Sequence, residues 1–367
     1  MNLFHRAEVV LLCCLSFSFS AIAQQPTAAE PTTAANRTPL TSSASPAPND
    51  LLLDVVVTDK SGKPVPGLQQ QDFTVLDNKH PANILTFHPH SAAATPSGEV
   101  DTSTEVIFIL DEANAPYDKV IYAREGVENY LKKNNGVLDH PVSIGLFTDS
   151  GLQLQTQPSL DGNGLAAALQ QQGQTYRAIE GGAVGGDFQR LQLSLDALNT
   201  LMNQEQSKPG RKMVIWVSPG WPLISGPHQI LTPKQEQIVL NNVVRLSSAL
   251  RQARITLYSV DPLGPASTGE HSVFYQNFTD GLTKLDNASF GDLGLQVLVT
   301  QTGGRAIFGN DPIANSIDHC IADLNAFYTL TIEPAPTDRP NQFHELNIKV
   351  AQPGLKVRTR NGYYAQP

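Results

Sequence analysis

The chain of 367 residues is 40% hydrophobic and 16% charged, a globular balance with room for one large or two modest domains around a real core. Its 34 acidic against 25 basic residues give a net charge of −9, which argues against a nucleic-acid partner, because neutralising phosphates takes a surplus of Lys and Arg. Of the three cysteines, Cys13 and Cys14 fall in the first apolar run, which leaves Cys320 with no intrachain disulfide partner and no Cys-rich zinc site.

Arg6, the apolar stretch from Val9 to Phe19 and Ala21-Ile22-Ala23 ahead of Gln24 predict a secretory signal over residues 1–23, with small residues at the positions that signal peptidase reads. Leu12 and Cys13 stand where a lipid-modified Cys wants a small predecessor, so lipidation is not expected. Residues 24–49 are built from Pro, Ala, Thr and Ser, and cannot bury enough surface to offset the entropy of ordering; a flexible tether is expected there. No later segment reaches the ~18–20 uninterrupted apolar residues of a membrane span. The mature chain is therefore expected to be exported, periplasmic or extracellular.

Strand patterns begin at Leu51 to Thr58, followed by the turn-forming Asp59-Lys60-Ser61-Gly62-Lys63-Pro64, and return at Phe73 to Leu76 and Ile84 to Phe87. This opening β segment spans about 50–90. Buried strands then alternate with amphipathic helices over about 104–327, which predicts a mostly parallel sheet covered on both faces. Val106 to Leu110 ends in Asp111, and a helix follows from about Tyr117 to Lys133. Val142 to Phe147 turns through Asp149-Ser150-Gly151 into Leu152-Gln153-Leu154-Gln155, whose alternation suits an antiparallel edge strand.

Gly162 to Gln172 reads as a short helix and Gly181 to Gly186 as a Gly-rich loop. Phe188, Leu191, Leu195, Leu198 and Met202 recur at helical spacing. Met213 to Val217 is a buried strand, and Thr232-Pro233-Lys234-Gln235 opens a helix with a capping hydroxyl, an early Pro and Gln at the third position. Ile255 to Val260, ending in Asp261, and Arg305 to Phe308 complete a six-stranded doubly wound sheet, with a helix near Leu293 to Thr300 between them. Asp311-Pro312 is expected to cap a last helix that buries Ile313, Ile317 and Ile321, with Cys320 beside them as a small hydrophobe. Tyr328 to Ile332, His344 to Val350 and Leu355 to Arg360 are strands again. Three strands before the α/β body and three after it are each too few for a stable sheet pair, so residues 50–90 and 328–367 are predicted to join in one β-sandwich.

The element order, with its single antiparallel edge strand after the second parallel one, resembles the von Willebrand factor A fold. The segments Val65-Pro66-Gly67-Leu68, Asp72-Phe73-Thr74-Val75-Leu76, Ile107-Phe108-Ile109-Leu110-Asp111, Tyr258-Ser259-Val260-Asp261-Pro262, Lys356-Val357-Arg358 and Gly362-Tyr363-Tyr364 are similar to the A-related family in exported proteins of acidobacteria and neighbouring groups. The family's metal-ion-dependent adhesion site uses Asp-x-Ser-x-Ser to hold Mg²⁺ with hard oxygens. Here that loop reads Asp111-Glu112-Ala113-Asn114-Ala115, both hydroxyls are gone, and the second family Asp would fall near Ser218-Pro219-Gly220. What the resemblance implies is a degenerate metal site, with Asp111 the one retained ligand and Mg²⁺ at most weakly held. It also implies a non-enzymatic adhesion-type module that binds a protein partner at a rim carrying Asp111, Asn114, Asp187, Ser218 and Trp221.

No nucleophile elbow, Walker loop, dinucleotide fingerprint or His-Glu-x-x-His pair occurs, so no catalytic residue is assigned. His88-Pro89-His90 lacks a third ligand nearby. Asp111, Asp149 and Asp261 all end parallel strands, which keeps a carboxylate-based or metal-dependent hydrolytic site at that rim as a second reading. Strand addition at a sandwich edge is a third. Trp216 belongs to a buried strand pattern, whereas Trp221 suits a core position or an exposed anchor equally well.

Overall fold

The computed structural model describes residues 50–91, 104–172, 183–224, 230–264, 273–309, 311–337 and 339–365. The expected signal (1–23) and tether (24–49) lie outside the described residues. In chain order the strands are β1 (Leu51–Thr58), β2 (Phe73–Asp77), β3 (His80–Ala82), β4 (Ile84–Ser91), β5 (Thr104–Asp111), β6 (Val137–Thr148), β7 (Gly151–Leu154), β8 (Ser159–Asp161), β9 (Arg211–Val217), β10 (Ile255–Val260), β11 (Ala306–Ile307), β12 (Ala326–Ile332), β13 (Gln342–Val350), β14 (Lys356–Arg358) and β15 (Gly362–Ala365). The helices are α1 (Tyr117–Leu131), α2 (Gly162–Gln171), α3 (Ala183–Glu205), α4 (Pro233–Gln252), α5 (Leu295–Gln301) and α6 (Ile313–Ile321).

The first and last strands make two antiparallel sheets, β14-β1-β12-β4 and β15-β13-β2-β3. Period-2 alternation in β1 turns Leu51, Leu53, Val55 and Val57 inward, where Tyr328 and Leu330 of the same sheet meet Val75, Leu346, Ile348 and Tyr363 of the other. The polar groups caught in this core are paired. Tyr363 donates to Asp77 at 2.6 Å, the His344 ring lies 3.0 Å from the other Asp77 oxygen, and the Tyr328 hydroxyl donates to the Val65 carbonyl at 2.7 Å.

Between these strand sets in sequence lies the mostly parallel sheet, ordered β11-β10-β9-β5-β6-β7 with β8 on β6. β5 is central, parallel to β6 on one side and β9 on the other, and its apolar residues are buried because helices cover both faces. Ala123 and Val127 of α1, Leu165 and Leu169 of α2, and Ile317 and Cys320 of α6 cover one face. Leu195 and Leu198 of α3, Val239 to Leu250 of α4 and Leu298 of α5 cover the other. Thr232 caps α4 as its sequence requires: the hydroxyl accepts from the Gln235 N–H while Gln235 Oε1 accepts from the Thr232 N–H at 2.9 Å.

Four sequence expectations are corrected. The sheet has seven strands among the described residues, not six, because β6 begins at Val137 rather than Val142; the added length, with a register shift around Pro141, offers an edge to Ser159–Asp161. The expected Gly-rich loop is helical from Ala183 onward, so α3 incorporates Gly185 and Gly186, while Gly181 and Gly182 lie outside the described residues. Asp311 does not cap α6, whose first turn follows Pro312 with no side-chain cap. The strand expected over Arg305 to Phe308 shortens to two paired residues.

Candidate functional site

The chain enters the parallel sheet at its middle, walks outward through β6 and β7, then returns to β9 and walks to the opposite edge. Successive crossovers therefore leave β5 and β9 in opposite directions, and a crevice opens beyond their carboxyl ends. Asp111 ends β5, Ser218 follows β9, and α3 brings Asp187, Arg190 and Ser194 past the same point.

Asp111 is 3% exposed. Its Oδ1 accepts from the N–H of Ala113 (3.1 Å), the N–H of Asn114 (2.9 Å) and the Asn114 amide (3.2 Å). Its Oδ2 accepts from the Asn114 amide (3.0 Å), the Trp216 indole (3.2 Å) and the Ser218 hydroxyl (2.7 Å). Burial pushes this carboxyl above its ordinary pKa, and the bonds from Ser218, Asn114 and Trp216 pull it back. Asn114 also donates to Ser194 Oγ at 3.0 Å, which passes the bond to the Arg190 carbonyl at 2.7 Å, so the β5 loop is tied to α3.

This donor set does not fit a divalent ion. A hard cation needs several free oxygens, and both Asp111 oxygens already face N–H and O–H donors, while the Ser218 hydroxyl donates inward and accepts from the Gly220 N–H at 3.0 Å. Among the described residues no three His, Cys, Asp or Glu side chains gather where they could hold a metal. Of the strand-end acids of the hydrolytic reading, Asp261 Oδ1 accepts from the Leu263 N–H at 2.7 Å in its own turn, and Asp149 Oδ1 accepts from the adjacent Ser150 hydroxyl at 3.2 Å.

Trp216 is fully buried and Trp221 is 3% exposed, their rings edge to face at 5.2 Å. Of the two readings left open for Trp221, the structure gives the core position; it forms a wall of the crevice and does not project as an anchor. The turn that delivers it needs Gly220, whose φ of +111° is costly for an L side chain and whose added Cβ would lie 2.3 Å from Gln296 Nε2. Gln296 in turn donates to the Pro219 carbonyl at 3.2 Å. Ser218 is buried as well.

What remains accessible is a crevice of about 540 Å³ bordered by Asn114, Asp187, Arg190, Gln296, Phe274 and the segment Pro219 to Leu223. Asp187 and Arg190 form an ion pair one turn apart on α3, both partly exposed. Asn114 Oδ1 and Trp221 Nε1 are buried there without a hydrogen-bond partner among the described residues. Arg190, Gln296 and Phe274 were not singled out from the sequence. Their positions in α3, α5 and the loop after β10 carry no motif, and only the crossover geometry brings them together.

Three other sequence features resolve into structure. Cys320 is fully buried, and burial pushes its thiol up to about 12, as suits a small core hydrophobe. His90 stacks on Phe327 with centroids 4.2 Å apart and lies 3.1 Å from Thr329 Oγ1, while His88 is exposed. Glu112, next to Asp111, turns to the other face of the loop and pairs with buried Arg124, whose Nη1 donates to the carbonyls of Leu169 and Gln172.

No family model matches the chain. No curated protein matches it either. Among solved structures it is similar to a point variant of the PilB minor pilin from Streptococcus sanguinis (10% identity, TM-score 0.35, 76% of this chain and 81% of that one). It is also similar to the SpaC pilus adhesin of Lactobacillus rhamnosus GG (9%, 0.35, 81% and 48%) and to the SpRpn10 VWA domain (8%, 0.29, 61% and 97%). The chain thus spans about half the length of the SpaC structure.

Proposed function

We propose that the chain is an exported, non-enzymatic protein-binding module of von Willebrand A-like architecture, whose partner enters the crevice at the carboxyl end of the sheet without a bridging metal ion. The observation that carries this reading is the closed hydrogen-bond shell of Asp111. In a metal-dependent rim that carboxylate would face outward and share an ion with the partner; here it braces the β5 loop, the β9 turn and α3 from within. Recognition falls to the groups left at the surface. Pro219, Pro222, Leu223 and Phe274 supply apolar walls, and Asn114, Gln296 and the Asp187–Arg190 pair supply a small number of oriented polar contacts. A partly apolar crevice with a few fixed polar groups suits one or two side chains of a partner, and desolvated pockets of this kind are where binding energy concentrates.

The test is affinity capture from the exported fraction in EDTA, comparing the parent with Asp187→Lys/Arg190→Glu, which reverses both charges while keeping an opposite-charge pair on the helix. Partners captured by the parent and lost by the double variant are expected. Identical captured sets, or capture that requires Mg²⁺, would count against the reading.

A further inference from the structure

At the end of the parallel sheet away from the crevice, β1 and the residues after β14 meet the start of β10 and the carbonyl end of α4. Two guanidinium groups pair there with one carboxylate, and two more lie beside it. Asp54 of β1 accepts from Arg254 Nη2 at 3.1 Å and lies 3.8 Å from Arg211 Nε; Arg251 and Arg360 complete the group. Arg360 is 8% exposed, and its guanidinium makes no hydrogen bond or ion pair with any described residue; Arg251, half-buried, makes none either. Arg254 Nε, Arg211 Nε and Arg211 Nη1 are buried without a hydrogen-bond partner among the described residues. Arg211 is further held by the Phe327 ring, 4.5 Å from its guanidinium carbon.

Between these groups is a polar cavity of about 20 Å³ bordered by Asp54, Arg251, Arg254, Thr256, Thr302 and Arg360. A water needs roughly 10–15 Å³ on this measure, so there is room for a single small species. The other polar groups there are already engaged: Thr302 Oγ1 accepts from the Leu257 N–H and donates to the Val299 carbonyl, and the Asp54 carboxylate is shared by two arginines and Thr329. A water could accept some of the free N–H groups but would leave the charge excess uncompensated. Burying a cation without a matching counter-charge is strongly unfavourable, and the carbonyl end of α4 offsets this for Arg251 alone. We propose that this junction binds one small inorganic anion, chloride or a tetrahedral oxyanion, through Arg251, Arg254 and Arg360, so that the anion supplies the acceptors these forks lack and ties the sandwich to the α/β body. The planar donor forks of arginine match oxyanions in particular. In keeping with this, burial and the Arg251 charge lower Arg360 to about 10, against the opposing charge of Asp54.

Calorimetric titration of the intact chain with sodium sulfate, sodium phosphate and sodium chloride, at ionic strength held constant with a bulky organic sulfonate, tests this. Saturable one-site binding of at least one of the three is expected, weakened tenfold or more in Arg360→Gln and in Arg251→Gln and unchanged in Lys349→Gln on the exposed face of β13; the titrant that binds identifies the anion. No saturable binding of any titrant, or weakening below tenfold in the arginine variants, would overturn the proposal. Should Arg360→Gln fail to fold, Arg251→Gln decides alone, since its half-buried side chain can be shortened without opening the core.

Discussion

Replacing Asp111 with Ala separates the two roles this residue could have. As a metal ligand it would hold an outward-facing charge, and its loss would leave the stability of the metal-free chain unchanged or slightly improved. As the hub seen here, its loss strands the Trp216 indole, the Ser218 hydroxyl, the Asn114 amide and two loop N–H groups at a site only 3% exposed. Each buried donor left unpaired costs about 1–3 kcal/mol. The sum is reduced because the Ser218 hydroxyl can rotate and a water can enter the space vacated by the carboxylate, so about 4 kcal/mol is expected in total. At roughly 2 °C per kcal/mol for a large domain this lowers Tm by about 8 °C. Thermal unfolding followed by circular dichroism in EDTA measures it directly. A variant melting within 2 °C of the parent would refute the hub and reopen the ligand role.

Arg124→Met leaves Glu112 buried and unpaired, and the carbonyls of Leu169 and Gln172 lose their donor; urea unfolding should show a loss of about 3–5 kcal/mol. Asp292 is raised from 3.8 to about 6, chiefly by burial, so the folded chain holds a proton in that window that the unfolded chain has released. Its stabilisation is full below pH 3.8 and is lost as pH rises through about 6; Asp292→Asn should therefore raise Tm at pH 8 and not at pH 4. Asp54 shows the opposite sign: burial raises its pKa, but Arg211 and Arg254 outweigh it and the net shift is downward. Its stabilisation is present above pH 3.8 and is lost on acidification through the lower folded value. Asp54→Asn should cost stability at pH 7 and flatten the acid limb of the unfolding profile.

The parallel strands were legible because each is a short apolar run bounded by turn residues, and the helices because Leu, Val and Ile recur at three and four residues, as in Val239, Val243, Leu246 and Leu250. β8 was not legible, since Ser159–Asp161 carries no strand pattern and forms only where the extended β6 offers it an edge. The amino-terminal turn of α3 was missed because Gly185 and Gly186 argue locally against helix, and the long apolar face that follows outweighs that local preference. At the site, the sequence showed that both loop hydroxyls are missing around Asp111. The sequence could not show where the carboxylate's hydrogen bonds go, because Trp216 and Ser218 lie more than 100 positions away. The arginine cluster was illegible for the same reason, its members arriving from β9, the end of α4 and the residues after β14.

Calorimetric titration of the intact chain with MgCl₂ and MnCl₂ bears most directly on the claim that the crevice works without a metal. The Asp111 shell predicts no saturable heat from either ion up to millimolar concentration. Saturable binding in the parent that disappears in Asp111→Ala, with Tm rising as Mg²⁺ is added, would contradict it.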